Sequence, residues 1–111
     1  MNITFRTIRQ MYRGNFTAKA IAGAMDMPVR TLRTLLSMEG SSFKSIKGAV
    51  RLRLAVQLTS QGKTPLCIIV ELDYAHTSNF FRAFERWTGE NYTAWKERVY
   101  DTPTLSTAAW F

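Results

Sequence analysis

Two segments of this chain follow the same plan, and this internal repeat constrains the fold more than any other feature. The segments are KAIAGAMDMPVRTLRTLL and LCIIVELDYAHTSNFFRAF. In each, a short apolar run ends at an Asp, and a second run that carries Arg beside apolar residues follows it. The two Asp residues, Asp26 and Asp73, are 47 positions apart. A short helix, a tight turn and a second helix form a helix-turn-helix. Two copies in a basic chain favour a protein that reads two successive stretches of DNA.

Charge and hydrophobicity agree with that interpretation. The chain has 111 residues, of which 46% are hydrophobic, so a packed core is expected rather than disorder. Fifteen Lys and Arg against eight Asp and Glu give a net charge of +7, which favours a polyanionic partner. Charge alone does not choose between nucleic acid and an anionic membrane surface. No apolar stretch approaches the length of a membrane span, and the polar start MNITFRTIRQ lacks the core of a signal peptide, so we expect a cytoplasmic protein without a membrane partner.

The sequence implies no cofactor, no metal and no enzymatic activity. Cys67 is the single cysteine and His76 the single histidine, too few for a Cys/His zinc site. We find no paired carboxylates, no nucleophile beside a base and no phosphate-binding loop in the sequence pattern.

Helical periodicity dominates the sequence, which predicts an all-α fold of about seven helices. The first helix is expected over 4–12, with Phe5, Ile8, Met11 and Tyr12 on one face. The first motif follows at about 17–38, with Thr17 as the N-cap of its first helix. Pro28 suits the first turn of the second helix, because its missing N–H would have no partner there.

A longer helix at about 43–60 is expected to join the two motifs. The second motif covers about 64–88, and its buried side is predicted to hold Phe80, Phe84 and Trp87. A final helix at about 92–100 would pack Trp95 and Val99 on the second core. Residues 1–100 are therefore predicted to form one tandem helix-turn-helix unit, and 101–111 a tail.

The chain resembles the C-terminal DNA-binding domain of the AraC/XylS transcription regulators. The segment GKTPLCIIVELDYAHTSNFFRAFERWTGENYTAWKERV is similar to the family signature, above all in the FxRAFxRWxG pattern from Phe80 to Gly89. The first half resembles the family more loosely through MPVRTLRTLLSMEGSSF and AVRLRLA. The resemblance covers roughly 16–100 and implies seven helices, two helix-turn-helix units and a rigid connecting helix.

Several residues depart from the family pattern. The family usually has Gly where Asp26 and Asp73 stand, and Asp tolerates a left-handed backbone better than most residues, so intact turns are expected. Ile69 occupies a position that is commonly Ala, and its larger side chain could displace the recognition helix. Tyr92 stands where Pro is common, and Pro28 where a capping Ser or Asp is expected.

The resemblance also indicates which side chains face the major groove. Arg can hold guanine O6 and N7, Asn can hold adenine in the same way, and Thr methyl groups can touch thymine. The base-facing candidates at matching positions are Arg30, Thr31, Arg33 and Thr34 on one helix and Thr77, Ser78, Asn79 and Arg82 on the other. The candidates for phosphate contacts are Lys44, Lys47, Arg51, Arg86, Lys96 and Arg98.

The function expected from this pattern is sequence-specific binding of double-stranded DNA, with a recognition helix in each of two successive major grooves. Family resemblance implies transcription activation, RNA polymerase as a further partner, and an effector-binding or dimerisation domain ahead of the tandem motif in most members. The alternative is a protein-interaction module or truncated regulator that keeps the fold and binds DNA without specificity. The two Asp turns and Ile69 are the features that favour this alternative.

Overall fold

The structure, a computed structural model, describes residues 2–100, and the tail expected at 101–111 lies outside them. In this range the chain forms seven α-helices and no strand, which confirms the all-α prediction. The helices are α1 (Ile3–Tyr12), α2 (Ala18–Ala24), α3 (Val29–Met38), α4 (Phe43–Ser60), α5 (Pro65–Glu71), α6 (Thr77–Thr88) and α7 (Tyr92–Val99). The helices α2 and α3 form the first helix-turn-helix, α5 and α6 form the second, and α4 connects them.

Polar caps fix where most of these helices begin. The Thr17 side chain accepts a hydrogen bond from the backbone of α2, as predicted, and Thr64 does the same for α5, where Pro65 is the first helical residue. Pro28 was predicted in the first turn of α3, but the helix begins one residue after it. Its extended backbone, with ψ at 153°, makes it the N-cap of α3 rather than part of the first turn.

The first helix buries a face that only partly matches the one expected. Ile3, Thr7 and Met11 are buried, whereas Phe5 and Tyr12 are 50% and 47% exposed. Thr7 can be buried because its hydroxyl donates to the Ile3 carbonyl at 2.8 Å, so no polar atom is left without a partner. The predicted face is therefore confirmed for Met11, which is fully buried, and for Ile8, which packs against the core, and it is wrong for Phe5 and Tyr12.

Glu39, at the end of α3, connects α1 to the first motif. Its carboxylate accepts hydrogen bonds from the backbone N–H groups of Ile3 and Thr4 at 3.0 and 2.9 Å. The Thr4 hydroxyl donates to the same carboxylate at 2.6 Å. These bonds satisfy the first N–H groups of α1 with a residue that is 35 or more positions away in the sequence.

The second half has an aromatic core. The ring of Tyr92 lies edge-on to those of Phe80 and Phe84, with centroids 5.2 and 5.1 Å away, and Trp95 packs on Phe84 at 5.0 Å. Phe80, Phe84 and Tyr92 are fully buried, while Trp95 is half-buried. The expectation that Val99 packs here is wrong, because Val99 is 41% exposed, whereas Tyr92 at the start of α7 is buried.

The connecting helix α4 anchors this core through two close contacts. Tyr92 and Thr59 share a buried hydrogen bond of 2.8 Å between their hydroxyls. Because the Thr59 hydroxyl proton goes to the Ala55 carbonyl, the Tyr92 hydroxyl is the donor. Nearer the start of α4, a Cβ added to Gly48 would lie 3.2 Å from Nε1 of Trp87, so the small residue lets α6 approach closely. Trp87 is half-buried rather than fully buried.

Candidate nucleic-acid interface

The turns of the two motifs have the same geometry. Asp26 and Asp73 both adopt the left-handed conformation, with φ at 59° and 63°. In the first turn the N–H groups of Asp26 and Met27 donate to carbonyls of α2, and in the second those of Asp73 and Tyr74 donate to carbonyls of α5, at 3.0 to 3.1 Å. This is the Schellman arrangement, which usually places Gly at the left-handed position. The expectation that Asp would keep both turns intact is confirmed.

The large residue in the second motif does not displace its helices. Ile69 is 4% exposed and belongs to the core, and its carbonyl accepts the turn hydrogen bond from Tyr74. The second motif therefore keeps the same turn as the first although its first helix carries a larger side chain.

The second helix of each motif begins without a side-chain cap. Helix α3 starts after Pro28 and α6 after His76, and neither residue makes a capping hydrogen bond. The other five helices of residues 2–100 all begin at an Asn, Ser or Thr whose side chain accepts a backbone hydrogen bond. The first-turn N–H groups of α3 and α6 are thus left for other acceptors, and a helix N-terminus carries partial positive charge.

The predicted base-facing residues of the first motif form one exposed strip. Arg30, Thr31, Arg33 and Thr34 are all exposed on α3, opposite the buried Leu32 and Leu36. Within residues 2–100 none of these four polar side chains is engaged in a hydrogen bond. The strip is therefore open to a partner, and its chemistry, two Arg and two Thr, suits base edges and phosphates.

The corresponding strip of the second motif is partly organised. Thr77, Ser78 and Arg82 are exposed, whereas Asn79 is half-buried. Nη2 of Arg82 donates to Oδ1 of Asn79 at 2.9 Å, which restricts the rotamers of both side chains. Because this bond uses one amide oxygen and one guanidinium nitrogen, the amide N–H₂ of Asn79 and further donors of Arg82 are still available.

Four of the six phosphate candidates converge on the second motif. Lys44, Lys47, Arg51 and Arg86 line an open groove of about 470 Å³ between α4 and α6. Arg51 and Arg86 also line the adjoining groove that reaches Asn79 and Arg82. We call this continuous surface the basic groove; its basic residues are Lys44, Lys47, Arg51, Arg82 and Arg86. It leads from the connecting helix to the predicted base-facing strip of α6.

Burial and neighbouring positive charge both disfavour the charged form of Lys47 in this groove. Partial burial and the nearby charge of Arg51 lower the pKa of Lys47, and Asp73 opposes the shift. An anion in the basic groove would relieve the repulsion between these two side chains. The groove therefore favours a phosphate electrostatically.

Arg51 itself is engaged in the structure. Its Nε donates to the Leu72 carbonyl at 2.9 Å and its Nη2 to the Asp73 carbonyl at 3.0 Å. The guanidinium carbon lies 3.9 Å from the ring centroid of Tyr74. Arg51, which the sequence predicts as a phosphate contact, also holds the turn of the second motif in the structure.

The remaining two candidates lie on α7, apart from the basic groove. Lys96 is half-buried, and Arg98 forms an ion pair with Glu90, with Nη2 and Oε2 separated by 2.8 Å. This pair is exposed, and such pairs contribute little to stability, so a phosphate could compete for the guanidinium.

The structure also adds a basic surface that was not among the candidates. Arg6, Arg9 and Arg13 line a smaller groove of about 140 Å³ between α1 and the end of α2, near Met25. Their spacing of three and four residues placed them on one polar helical face, but nothing in the sequence showed that this face adjoins the first motif.

None of the helices within residues 2–100 combines the length and the hydrophobicity that a membrane span requires. The same residues extend 54 Å along the longest axis of the molecule. Successive major grooves on one face of DNA are about 34 Å apart, so the molecule is long enough for its two motifs to reach both.

Known families and proteins match most of this architecture. A family profile described as a helix-turn-helix domain matches residues 21–98. An uncharacterized HTH-type transcriptional regulator of Mycobacterium tuberculosis is 41% identical over 70 residues, which cover 62% of this chain and 20% of the relative. The chain thus spans about one fifth of the length of the curated relative.

Two solved structures share the fold. The crystal structure of a DNA-binding transcriptional dual regulator from Escherichia coli K-12 matches with a TM-score of 0.77 and 24% identity, covering 88% of this chain and 98% of that one. The crystal structure of the transcriptional regulator CdpR from Pseudomonas aeruginosa matches with a TM-score of 0.75 and 25% identity, covering 86% and 31%.

Proposed function

Because this chain belongs to the AraC/XylS family of helix-turn-helix transcription regulators, we propose that it binds an asymmetric, bipartite DNA site with α3 and α6 in successive major grooves. The observation that carries the proposal is the matched pair of exposed strips on α3 and α6. Each follows the same left-handed Asp turn, and each begins at a helix N-terminus without a side-chain cap.

Base reading falls to the two strips. Arg33 and Arg82 occupy the equivalent region of α3 and α6 and present guanidinium donors that fit guanine. Asn79 is the candidate for adenine, and Thr31, Thr34, Thr77 and Ser78 supply shorter contacts. Arg30 completes the first strip.

Phosphate binding falls to Lys44, Lys47 and Arg86 of the basic groove, to Lys96 and Arg98, and to the open N-termini of α3 and α6. If about six phosphates are neutralised, affinity should fall on the order of a thousandfold between about 50 and 200 mM salt. Any mismatch between the 34 Å groove spacing and the spacing of the two helices would bend the DNA, at a cost of roughly 1 to 6 kcal/mol.

The regulatory outcome proposed is activation of transcription, with RNA polymerase as the second partner. Family membership supports this outcome, and no contact surface for the polymerase is assigned. An effector-binding or dimerisation domain in the same polypeptide is also proposed, on the ground that this chain corresponds to about one fifth of its curated relative. Transcription from a promoter that carries the selected site, with and without the protein, separates activation from repression.

The direct test is selection from a random library of double-stranded DNA at about 150 mM salt, followed by affinity measurement on the winner and on scrambled DNA. The expected product is two half-sites with centres about one helical turn apart, bound on the order of a thousandfold more tightly than scrambled DNA. Binding that ignores sequence and disappears with added salt would instead support the interaction module or a regulator that needs its other domain.

A further inference from the structure

We propose that Arg51 is a positioning residue that sets the register between the two recognition helices, a role that rests on the bipartite binding proposed above. Its guanidinium contacts both halves of the molecule. Arg51 bonds the carbonyls of Leu72 and Asp73 in the turn of the second motif and lies against Tyr74. On the other side of the junction, the guanidinium carbon lies 5.4 Å from the ring centroid of Phe16, which precedes α2 in the first half.

Most of the other contacts between the two halves are apolar. Phe16, Leu54, Leu58 and Leu72 line a shared groove between the first half, α4 and the end of α5, with the polar Arg13 and Glu71 also on its wall. Apolar contacts are not directional, so they tolerate small rotations and slides of one half against the other. Two N–H···O bonds from a planar guanidinium are directional, and they determine how the second turn is oriented on α4.

The hydrogen bonds of Arg51 end on the turn that sets the direction of the recognition helix α6. The Asp73 carbonyl belongs to the left-handed residue that reverses the chain between α5 and α6. Four residues later α6 begins at Thr77. A side chain that fixes this carbonyl relative to α4 also fixes the direction of α6 relative to α3, because α4 is one continuous helix between the halves.

Charge and position can be separated with Arg51→Lys. Lys keeps the positive charge, and so it would keep most of a phosphate contact, but it lacks the planar fork and the flat face over Tyr74. Arg53→Lys is the matched control, because Arg53 lies on the same helix, is exposed and has no assigned contact. Thermal unfolding of all variants establishes that they are folded at the assay temperature.

The experiment measures affinity for three DNA duplexes built from the selected site. One has the selected spacing, one has two base pairs inserted between the half-sites, and one keeps only the half-site of the second motif. We expect the unmodified protein and Arg53→Lys to lose about a hundredfold on the longer spacing, since linked modules lose their avidity when geometry prevents simultaneous engagement. We expect Arg51→Lys to lose only about tenfold there, to bind the selected spacing about tenfold more weakly, and to lose less than about threefold on the half-site, where the spacing of the two helices plays no part.

Two results would overturn the inference. One is an Arg51→Lys variant with the spacing preference of the unmodified protein. The other is an equal loss on all three duplexes, which would make Arg51 a phosphate contact or a residue needed only inside the second motif. If the unmodified protein itself shows no spacing preference, the proposed bipartite function fails first, and that result is distinct from both.

A second variant keeps the test open if Arg51→Lys unfolds. Tyr74→Leu removes the ring beside the guanidinium, retains an apolar side chain in a half-buried position and leaves every basic residue in place. It should relax the spacing preference in the same direction by about threefold, the low end for a partly desolvated cation–π contact. An unchanged preference in a folded Tyr74→Leu protein would contradict the role given to Arg51.

Discussion

The two helix-turn-helix motifs share a turn but are supported differently. In the first, the turn at Asp26 depends on its own backbone hydrogen bonds, and the core around it is aliphatic, with Ile21, Leu32 and Leu36 fully buried. In the second, Arg51 bonds two carbonyls of the turn from outside the motif. The second core is aromatic, and the bond between Asn79 and Arg82 organises its strip.

This difference predicts that the two motifs contribute differently to DNA binding. A pre-organised strip loses less side-chain entropy when it binds, so the second motif should contribute more affinity per contact. The more open strip of the first motif should adapt to more than one base sequence. The predictions below test that comparison, beginning with the core of each motif.

The largest effects should come from cavities in the two cores. We expect Phe84→Ala to cost about 3 to 5 kcal/mol and Leu36→Ala about 2 to 5 kcal/mol, because both side chains are fully buried. Trp87 and Trp95 lie in the second half, so their fluorescence reports on that half when the third tryptophan is removed by Trp110→Phe, while circular dichroism reports on all helices. Urea unfolding should show both signals shifting together if the junction couples the halves.

Separate midpoints for the two signals in Leu36→Ala would contradict that coupling. They would show that the first motif can unfold while the second stays folded. A cost below about 1 kcal/mol for Phe84→Ala would be too small for loss of a fully buried ring, and would contradict the account of the aromatic core.

Base reading provides the next test. Arg82→Ala should cost about 1 to 3 kcal/mol on the selected site and relax discrimination at one base pair, if this Arg reads a base. Arg33→Ala should cost less, because Arg33 has no partner comparable to Asn79 to hold it in place before binding. Affinity for a panel of single-base variants of the site measures both effects. A uniform loss on every sequence would assign the residue to phosphate.

The sequence predicted the helices well because local signals fix their ends. Thr17, Thr64 and Pro65 are caps or first residues whose effect does not depend on distant parts of the chain. The buried face of α1 was predicted correctly at Met11 and Ile8 and wrongly at Phe5 and Tyr12. Hydrophobicity favoured Phe5, while the face that is buried contains Thr7, whose hydroxyl bonds within the helix.

The site was less accessible to sequence reasoning. A basic residue on a polar face looks the same whether it faces solvent, a phosphate or a carbonyl, and Arg51 faces carbonyls that lie 21 and 22 residues further along the chain. The same limit applied to Arg6, Arg9 and Arg13, whose neighbour is the end of α2. Neither arrangement leaves a signal in local spacing.

A smaller effect is expected at the two turns. Asp26→Gly and Asp73→Gly should each raise the free energy of unfolding by about 0.5 to 1 kcal/mol. Gly adopts the left-handed conformation without the steric cost of a Cβ, and its greater freedom in the unfolded chain offsets part of that gain. Asp→Asn at each position is the control for charge, since Asn also tolerates this conformation. Denaturant unfolding gives the comparison. Destabilisation by Gly at either turn would show that the Asp side chain contributes something beyond tolerance of the backbone.

The smallest effect should be the loss of stability in acid that comes from two carboxylates. Glu39 accepts hydrogen bonds from the start of α1, and Glu90 forms an ion pair with Arg98. Hydrogen bonds from Thr4 and Ile3 lower the pKa of Glu39, and the bond from Arg98 is the main cause that lowers the pKa of Glu90. Since both carboxyls have a lower pKa in the folded state than the ordinary 4.5, their stabilisation is present above pH 4.5 and is lost as the pH falls through the folded value.

Glu39 is exposed and the Glu90 side chain is 34% exposed, so solvent screening keeps both effects small. They should nevertheless differ in kind. Glu39→Gln should weaken the attachment of α1 to the first motif. Glu90→Gln removes only the ion pair with Arg98, which lies within the second half. Amide hydrogen exchange in α1, compared between pH 7 and pH 4, measures the difference: the gap between Glu39→Gln and the unmodified protein should shrink at the lower pH. A gap that is independent of pH would mean that the size of the side chain, rather than its negative charge, holds α1 in place.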